Sequence, residues 1–108
     1  MVTKKTSPTQ RSLAHLREEG WLVEIVEHWN PFARVRKDLW GWCDLLCLRG
    51  EEIMAVQVTA SGVSSRIKKI QESETLSWVR KANIKVVVHG WRKSAKTGKY
   101  TLRIEDIS

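Results

Sequence analysis

The chain has 108 residues, enough for one domain around a single core, and a formal charge of +7 from 19 Lys and Arg against 12 Asp and Glu. Its 42% hydrophobic and 29% charged composition fits a globular chain and excludes a disordered one. No apolar run approaches the roughly 18 residues of a membrane span, and the segment Met1–Thr6 has no signal-peptide character, so the cytoplasm is the expected location. The basic balance points to a polyanionic partner, and nucleic acid is the commonest one.

Residues 1–7, with Lys4 and Lys5, are expected to fray or to lie along a phosphate backbone. Ser7 followed by Pro8 is a helix-start signal, and Leu13, Ala14 and Leu16 give the helix an apolar face that runs to about Glu19. Gly20 supplies the stop. The β-branched and aromatic run Trp21–Trp29 predicts a strand ended by Asn30-Pro31. The basic stretch 32–39 is a loop or an irregular strand.

Two central strands follow at 42–48 and 52–59, joined at Arg49-Gly50-Glu51. Ser64 or Ser65 caps a helix beginning near Arg66, with Ile67 and Ile70 on one side and Arg66 and Lys69 on another. Ser73 breaks the phase, and a second segment over 74–81 presents Leu76, Val79 and Ala82, with Trp78 beside them. The near-continuous apolar run 84–91 reads as a strand buried on both faces. A basic tip over 92–99 then leads to a last strand at 100–104. The predicted fold is α/β, a mixed sheet of about five strands flanked by helices in one domain.

Cys43 and Cys47 are expected on one side of one strand, too far apart for a disulfide, and read as buried thiols. His15, His28 and His89 are isolated in sequence and complete no zinc set. Of the six tryptophans, Trp21, Trp29, Trp78 and Trp91 are assigned to the core. Trp40 and Trp42 flank Gly41 and either stack on bases or pack inside; Gly41 allows close backbone approach or a turn with positive φ.

The polar residues of the central strands carry the functional argument. Asp44 opens the first, and Gln57 and Thr59 lie two apart on the second, hence on one face. A neighbouring strand can bring Asp44 beside them. Each sits where packing alone would favour an apolar side chain, so together they read as a site. Arg34, Arg36 and Lys37 precede the site, and Arg66, Lys68 and Lys69 follow it. All are candidates for phosphate contact. Asp38 is either a second carboxylate for the site or the partner of Arg36.

The sequence Gly41-x-x-Asp44-Leu45, a hairpin, Gln57-x-Thr59 and a basic helix resembles the PD-(D/E)xK nuclease superfamily, which includes type II restriction enzymes, Holliday-junction resolvases and small phage nucleases. The likeness covers about residues 9–92 as element order and 41–59 as motif. It implies a restriction-endonuclease-like sheet, in the order α-β-β-β-α-β-β, and metal-dependent cleavage of DNA with Mg²⁺ or Mn²⁺. By that resemblance Asp44 is the metal ligand, Gln57 takes the position of the family's acidic residue and Thr59 that of its lysine. Lys68 or Lys69 is a candidate for the missing cation, and Glu18 or Glu19 of the first helix for a further ligand. The family's habits and the chain's small size imply a homodimer. Two alternatives stay open: a nuclease-fold DNA-binding module without catalysis, and an RNA- or protein-binding adaptor.

Overall fold

The computed structural model describes residues 7–108; the basic tail expected over 1–6 lies outside the described residues. Helix α1 (Pro8–Glu18) starts as its sequence dictates. Ser7 Oγ accepts from Gln10 N at 3.1 Å, and Pro8 occupies the first turn, where its missing N–H costs nothing. Gly20, at φ 87°, turns the chain into β1 (Leu22–Ile25).

The main sheet has five strands in the order β1, β4 (Leu45–Arg49), β5 (Glu52–Thr59), β6 (Ile84–Lys93), β7 (Tyr100–Asp106). Neighbouring pairs are antiparallel except β5 and β6. That parallel pair requires a crossover, which α2 (Val63–Gln71) and α3 (Leu76–Lys81) provide. The predicted mixed α/β sheet is therefore present.

The predicted single strand 21–29 is in fact two. In the main sheet Ile25 pairs with Leu45, the first residue of β4, and the ladder ends there, with Val26 N donating to Asp44 O just past it. Residues Glu27–Asn30 form β2 and pair instead with β3 (Val35–Asp38), Glu27 opposite Asp38, in a separate two-stranded hairpin. The stretch 32–39, expected to be a loop or irregular strand, supplies that second strand. Helix α2 also begins earlier than the serines suggest. Gly62, at φ 73°, occupies its N-cap, and Ser65 Oγ donates back to Gly62 O at 2.8 Å.

The sheet separates two apolar layers. Leu13 and Leu16 of α1 pack with Trp21, Val23, Leu45, Cys47, Met54, Val56, Val58 and Val87 on one face. Ile70, Leu76 and Val79 pack with Trp42, Cys43, Ala55, Val86 and Val88 on the other. The alternation along β5 and β6 is what a strand covered on both sides requires. Cys43 and Cys47 are buried and unbridged, but they lie in opposite layers. Cys43 precedes β4, so strand alternation does not link the two positions.

A buried polar chain ties α1 to β6. Ser12 Oγ lies 2.9 Å from His89 Nδ1 and accepts from Trp91 Nε1 at 2.8 Å. Burial, with His15 close by, pushes the His89 pKa down to about 4, so the ring is neutral at pH 7. Trp21 and Trp42 are buried and Trp91 is half-buried, whereas Trp29 and Trp78 are 58% and 78% exposed, against their assignment to the core. Among the described residues no helix is long and apolar enough to cross a membrane.

Candidate functional site

The site begins with a tight turn. Leu39 O accepts from Trp42 N at 3.2 Å and from Cys43 N at 2.8 Å, while Trp40 and Gly41 have φ values of 59° and 80°. Consecutive positive φ values belong to the mirror-image turns that favour glycine. A Cβ added at Gly41 would meet nothing within 4 Å, so the glycine serves φ rather than close approach. The turn is fixed from inside: the Trp40 and Trp42 rings lie 5.7 Å apart, and Trp42 Nε1 donates to Thr75 Oγ1 at 2.9 Å.

The turn delivers Asp44 to the head of β4, where it is 3% exposed. Its backbone joins two neighbours, with Asp44 N donating to Val56 O and Val26 N donating to Asp44 O, both at 2.9 Å. Its side chain meets the end of β5. Gln57 Nε2 and Val58 N both donate to Asp44 Oδ2 at 2.7 Å. The same Gln57 amide is only half used: Nε2 also reaches Val58 O at 3.3 Å, but Oε1 is buried without a partner among the described residues.

Two more carboxylates face Asp44. Glu27 and Asp38, opposite each other at the base of the β2–β3 hairpin, come within 4.8 Å of Asp44 and of each other, ligand atom to ligand atom. Thr9 Oγ1 donates to Glu27 Oε1 at 3.3 Å, Arg36 approaches Glu27 Oε2 at 3.9 Å, and Asp38 Oδ1 is buried with no partner among the described residues.

Three carboxylates this close need a proton or a cation between them. Burial, reinforced by Glu27 and Asp38, raises the Asp44 pKa to about 7 even though the Val58 N–H opposes the shift. Asp38 is also raised, by burial and then by Glu27, with Lys69 and Arg36 pulling the other way. The donors are all oxygens and mostly anionic. A cleft of about 460 Å³ opens over them, and Arg36, Thr59 and Arg66 also line it. This arrangement can hold a hard divalent cation and bring a phosphate against it.

Asp44 and Gln57 are therefore in direct contact, as their spacing predicts. Thr59 lines the same cleft, but its hydroxyl donates to Ser61 O and accepts from Ser61 N. Arg36 and Arg66 line the cleft, and Lys69 acts on Asp38 through charge. Lys68 is exposed on another side of α2. Glu18 and Glu19 lie at the far end of α1, about 16 Å along the axis from the first turn that borders the cleft. There Glu19 Oε1 lies 2.7 Å from His15 Nε2, which is not aligned for a hydrogen bond. Trp42 is 1% exposed and belongs to the core, Trp40 is half-buried against it, and Arg34 and Lys37 lie out along the hairpin.

Sequence reasoning missed Glu27. A signal was present: Glu27 has the same parity as Val23 and Ile25, which puts a carboxylate at an inward position of the predicted strand. The chain matches no protein-family model, no curated protein and no solved structure.

Proposed function

We propose that the protein is a metal-dependent DNA endonuclease of the PD-(D/E)xK kind, with Gln57 and Thr59 in place of that family's acidic residue and lysine. One observation carries the reading: Gln57 lines the same cleft as Asp44, Glu27 and Asp38, and its Oε1 is buried with no partner among the described residues. A buried carbonyl oxygen without a partner is poorly solvated by protein alone, and a cation held by the neighbouring carboxylates would satisfy it. The run of α1, β1, β4, β5, α2 and β6, with β5 and β6 parallel, supports the same reading.

Asp44, Asp38, Glu27 and Gln57 would hold Mg²⁺ or Mn²⁺, and the two hairpin carboxylates offset the charge that Gln57 lacks. The bound ion would polarise a phosphate oxygen and lower the pKa of a coordinated water. Arg36 and Arg66 neutralise the charge that grows on the phosphoryl oxygens. The one proton of the attacking water would pass to a carboxylate oxygen of Glu27 that does not hold the ion, a task Thr59 cannot perform. Two copies of so small a chain act together on a duplex.

One observation favours the inactive DNA-binding module as the second reading. The Thr59 hydroxyl is engaged by Ser61, so nothing at that position acts on a water. Incubating plasmid, branched and single-stranded DNA with Mg²⁺ or Mn²⁺ separates the two. Cutting by the wild type that is lost in Asp44→Ala supports the enzyme. DNA binding without cutting supports the module.

A further inference from the structure

The β2–β3 hairpin leaves the main sheet at the acidic cluster and ends in a four-residue turn over 31–34. A two-stranded hairpin is marginal by itself, and among the described residues this one is tied to the rest of the chain at its base, where Leu39 N donates to Val26 O at 3.2 Å and Thr9 Oγ1 to Glu27 Oε1 at 3.3 Å. Its tip is nonetheless built. Asn30 Oδ1 accepts from Phe32 N at 3.0 Å and from Ala33 N at 3.1 Å, and Arg34 takes φ 51° to close the turn.

The side chains on this arm do not serve the core. Phe32 is 97% exposed, and Trp29 and Val35 are 58% and 44% exposed. Single exposed apolar residues are ordinary, but three on one short arm among Arg34, Arg36 and Lys37 are not. Strand alternation also gives them an order. Glu27 and Asp38 form one rung of the ladder, and Trp29 and Arg36 form the next rung on the same face. One face therefore runs from carboxylates to a tryptophan–arginine pair about 7 Å further out, and the exposed Phe32 sits beyond that pair in the turn at the tip.

We infer that this hairpin is a nucleic-acid arm that stacks unpaired DNA bases on Trp29 and Phe32 while Arg34 and Arg36 hold the adjoining phosphates, so that the preferred substrate has a single-stranded segment next to the cut. The inference rests on the nuclease reading of the cleft and specifies its substrate class. Aromatic faces take up bases that are already unstacked, whereas bases inside a duplex have both faces covered. The arm's positive charge favours a polyanion over a second copy, whose identical tip would bring the same charges against it.

The test is binding of labelled oligonucleotides to the full chain in EDTA, with single-stranded, blunt duplex and forked DNA. The wild type should bind the single strand and the fork more tightly than the duplex. Trp29→Ala and Phe32→Ala should each weaken single-strand binding between about five- and a hundredfold, with thermal melts close to wild type because neither side chain is buried. Equal affinity of both variants and wild type for the single strand would overturn the inference. A wild-type preference for duplex would do the same, as would sedimentation showing that the substitutions only dissolve a dimer. Nicking with Mn²⁺ keeps the two ideas apart. Arm variants that bind and cut like wild type, beside an inactive Asp44→Ala, would remove the arm and leave the nuclease. Arm variants that lose strand affinity, in a protein that never cuts, would support the arm and remove the nuclease.

Discussion

Gln57 Nε2 donates to Asp44 Oδ2 at 2.7 Å, while Oε1 of the same amide is buried with no partner among the described residues. One end of this side chain fixes the orientation of the carboxylate, and on the proposed reading the other end serves a bound cation. Leaving a buried carbonyl unsatisfied costs about 1–3 kcal/mol, so a bound cation recovers energy that the metal-free protein lacks.

Gln57→Glu tests this division directly. The change removes the Nε2 donor and adds a fourth carboxylate beside Asp44, Glu27 and Asp38. Without metal the variant should melt below wild type. With Mn²⁺ it should bind at least about tenfold more tightly by calorimetry, a gain of about 1.4 kcal/mol. Weaker Mn²⁺ binding in the variant would place the ion elsewhere.

The pH dependence of stability has two opposing parts. Asp44, raised to about 7 in the fold, holds its proton where the unfolded chain has lost it. Its contribution is full below about pH 4 and is lost as pH rises through about 7. His89, lowered to about 4, stays neutral where the unfolded chain is protonated. Its contribution is full above about 6.5 and is lost as pH falls toward 4. Between about pH 4 and pH 6.5 the two contributions oppose each other. Asp44→Asn removes only the first, so its metal-free stability relative to wild type should rise from pH 4 to pH 8, by about 4 kcal/mol at most. Denaturant melts across that range check the sign; a pH-independent difference would contradict it. Saturating Mn²⁺ at pH 7.5 should stabilise the wild type more than the variant, because only the wild type keeps the Asp44 carboxylate.

The tryptophans divide by burial. Trp42→Ala opens a core cavity and removes the donor to Thr75, and should cost about 3–5 kcal/mol. Trp42→Phe keeps most of the volume and should cost about 1–2 kcal/mol. Trp78→Ala, at an exposed position on α3, should stay within about 0.5 kcal/mol of wild type. Urea melts of the three variants decide whether this ranking holds.

Gly41→Ala should cost about 1–2 kcal/mol, since φ is 80° while an added Cβ meets nothing. The strain falls on the turn that places Asp44, so Mn²⁺ affinity should fall together with the melting temperature. Loss of stability with unchanged Mn²⁺ affinity would separate the turn from the site.

Where local chemistry decides the structure, the sequence was readable. Ser7-Pro8 and Gly20 bound α1, the apolar run from Ile84 becomes the doubly covered β6, and the polar interruptions at Asp44 and Gln57 meet across β4 and β5. Where a partner decides, it was not. Nothing local in Trp21–Trp29 shows that the neighbouring strand begins only at Leu45, which is what sends Glu27–Asn30 out of the sheet. The same event brings Glu27 and Asp38 to Asp44 and carries Trp29 into solvent. Glu19 was a reasonable candidate from its helix alone, but it lies at the wrong end of that helix.

The central claim is that the Asp44 cluster is a metal-dependent phosphodiesterase centre. The most direct test is nicking of supercoiled plasmid with Mn²⁺ by wild type and Asp44→Ala purified side by side. The account predicts nicking by the wild type that stops on chelation and is absent from Asp44→Ala. Equal nicking by both proteins, or none by a wild type that binds both Mn²⁺ and the plasmid, would contradict it.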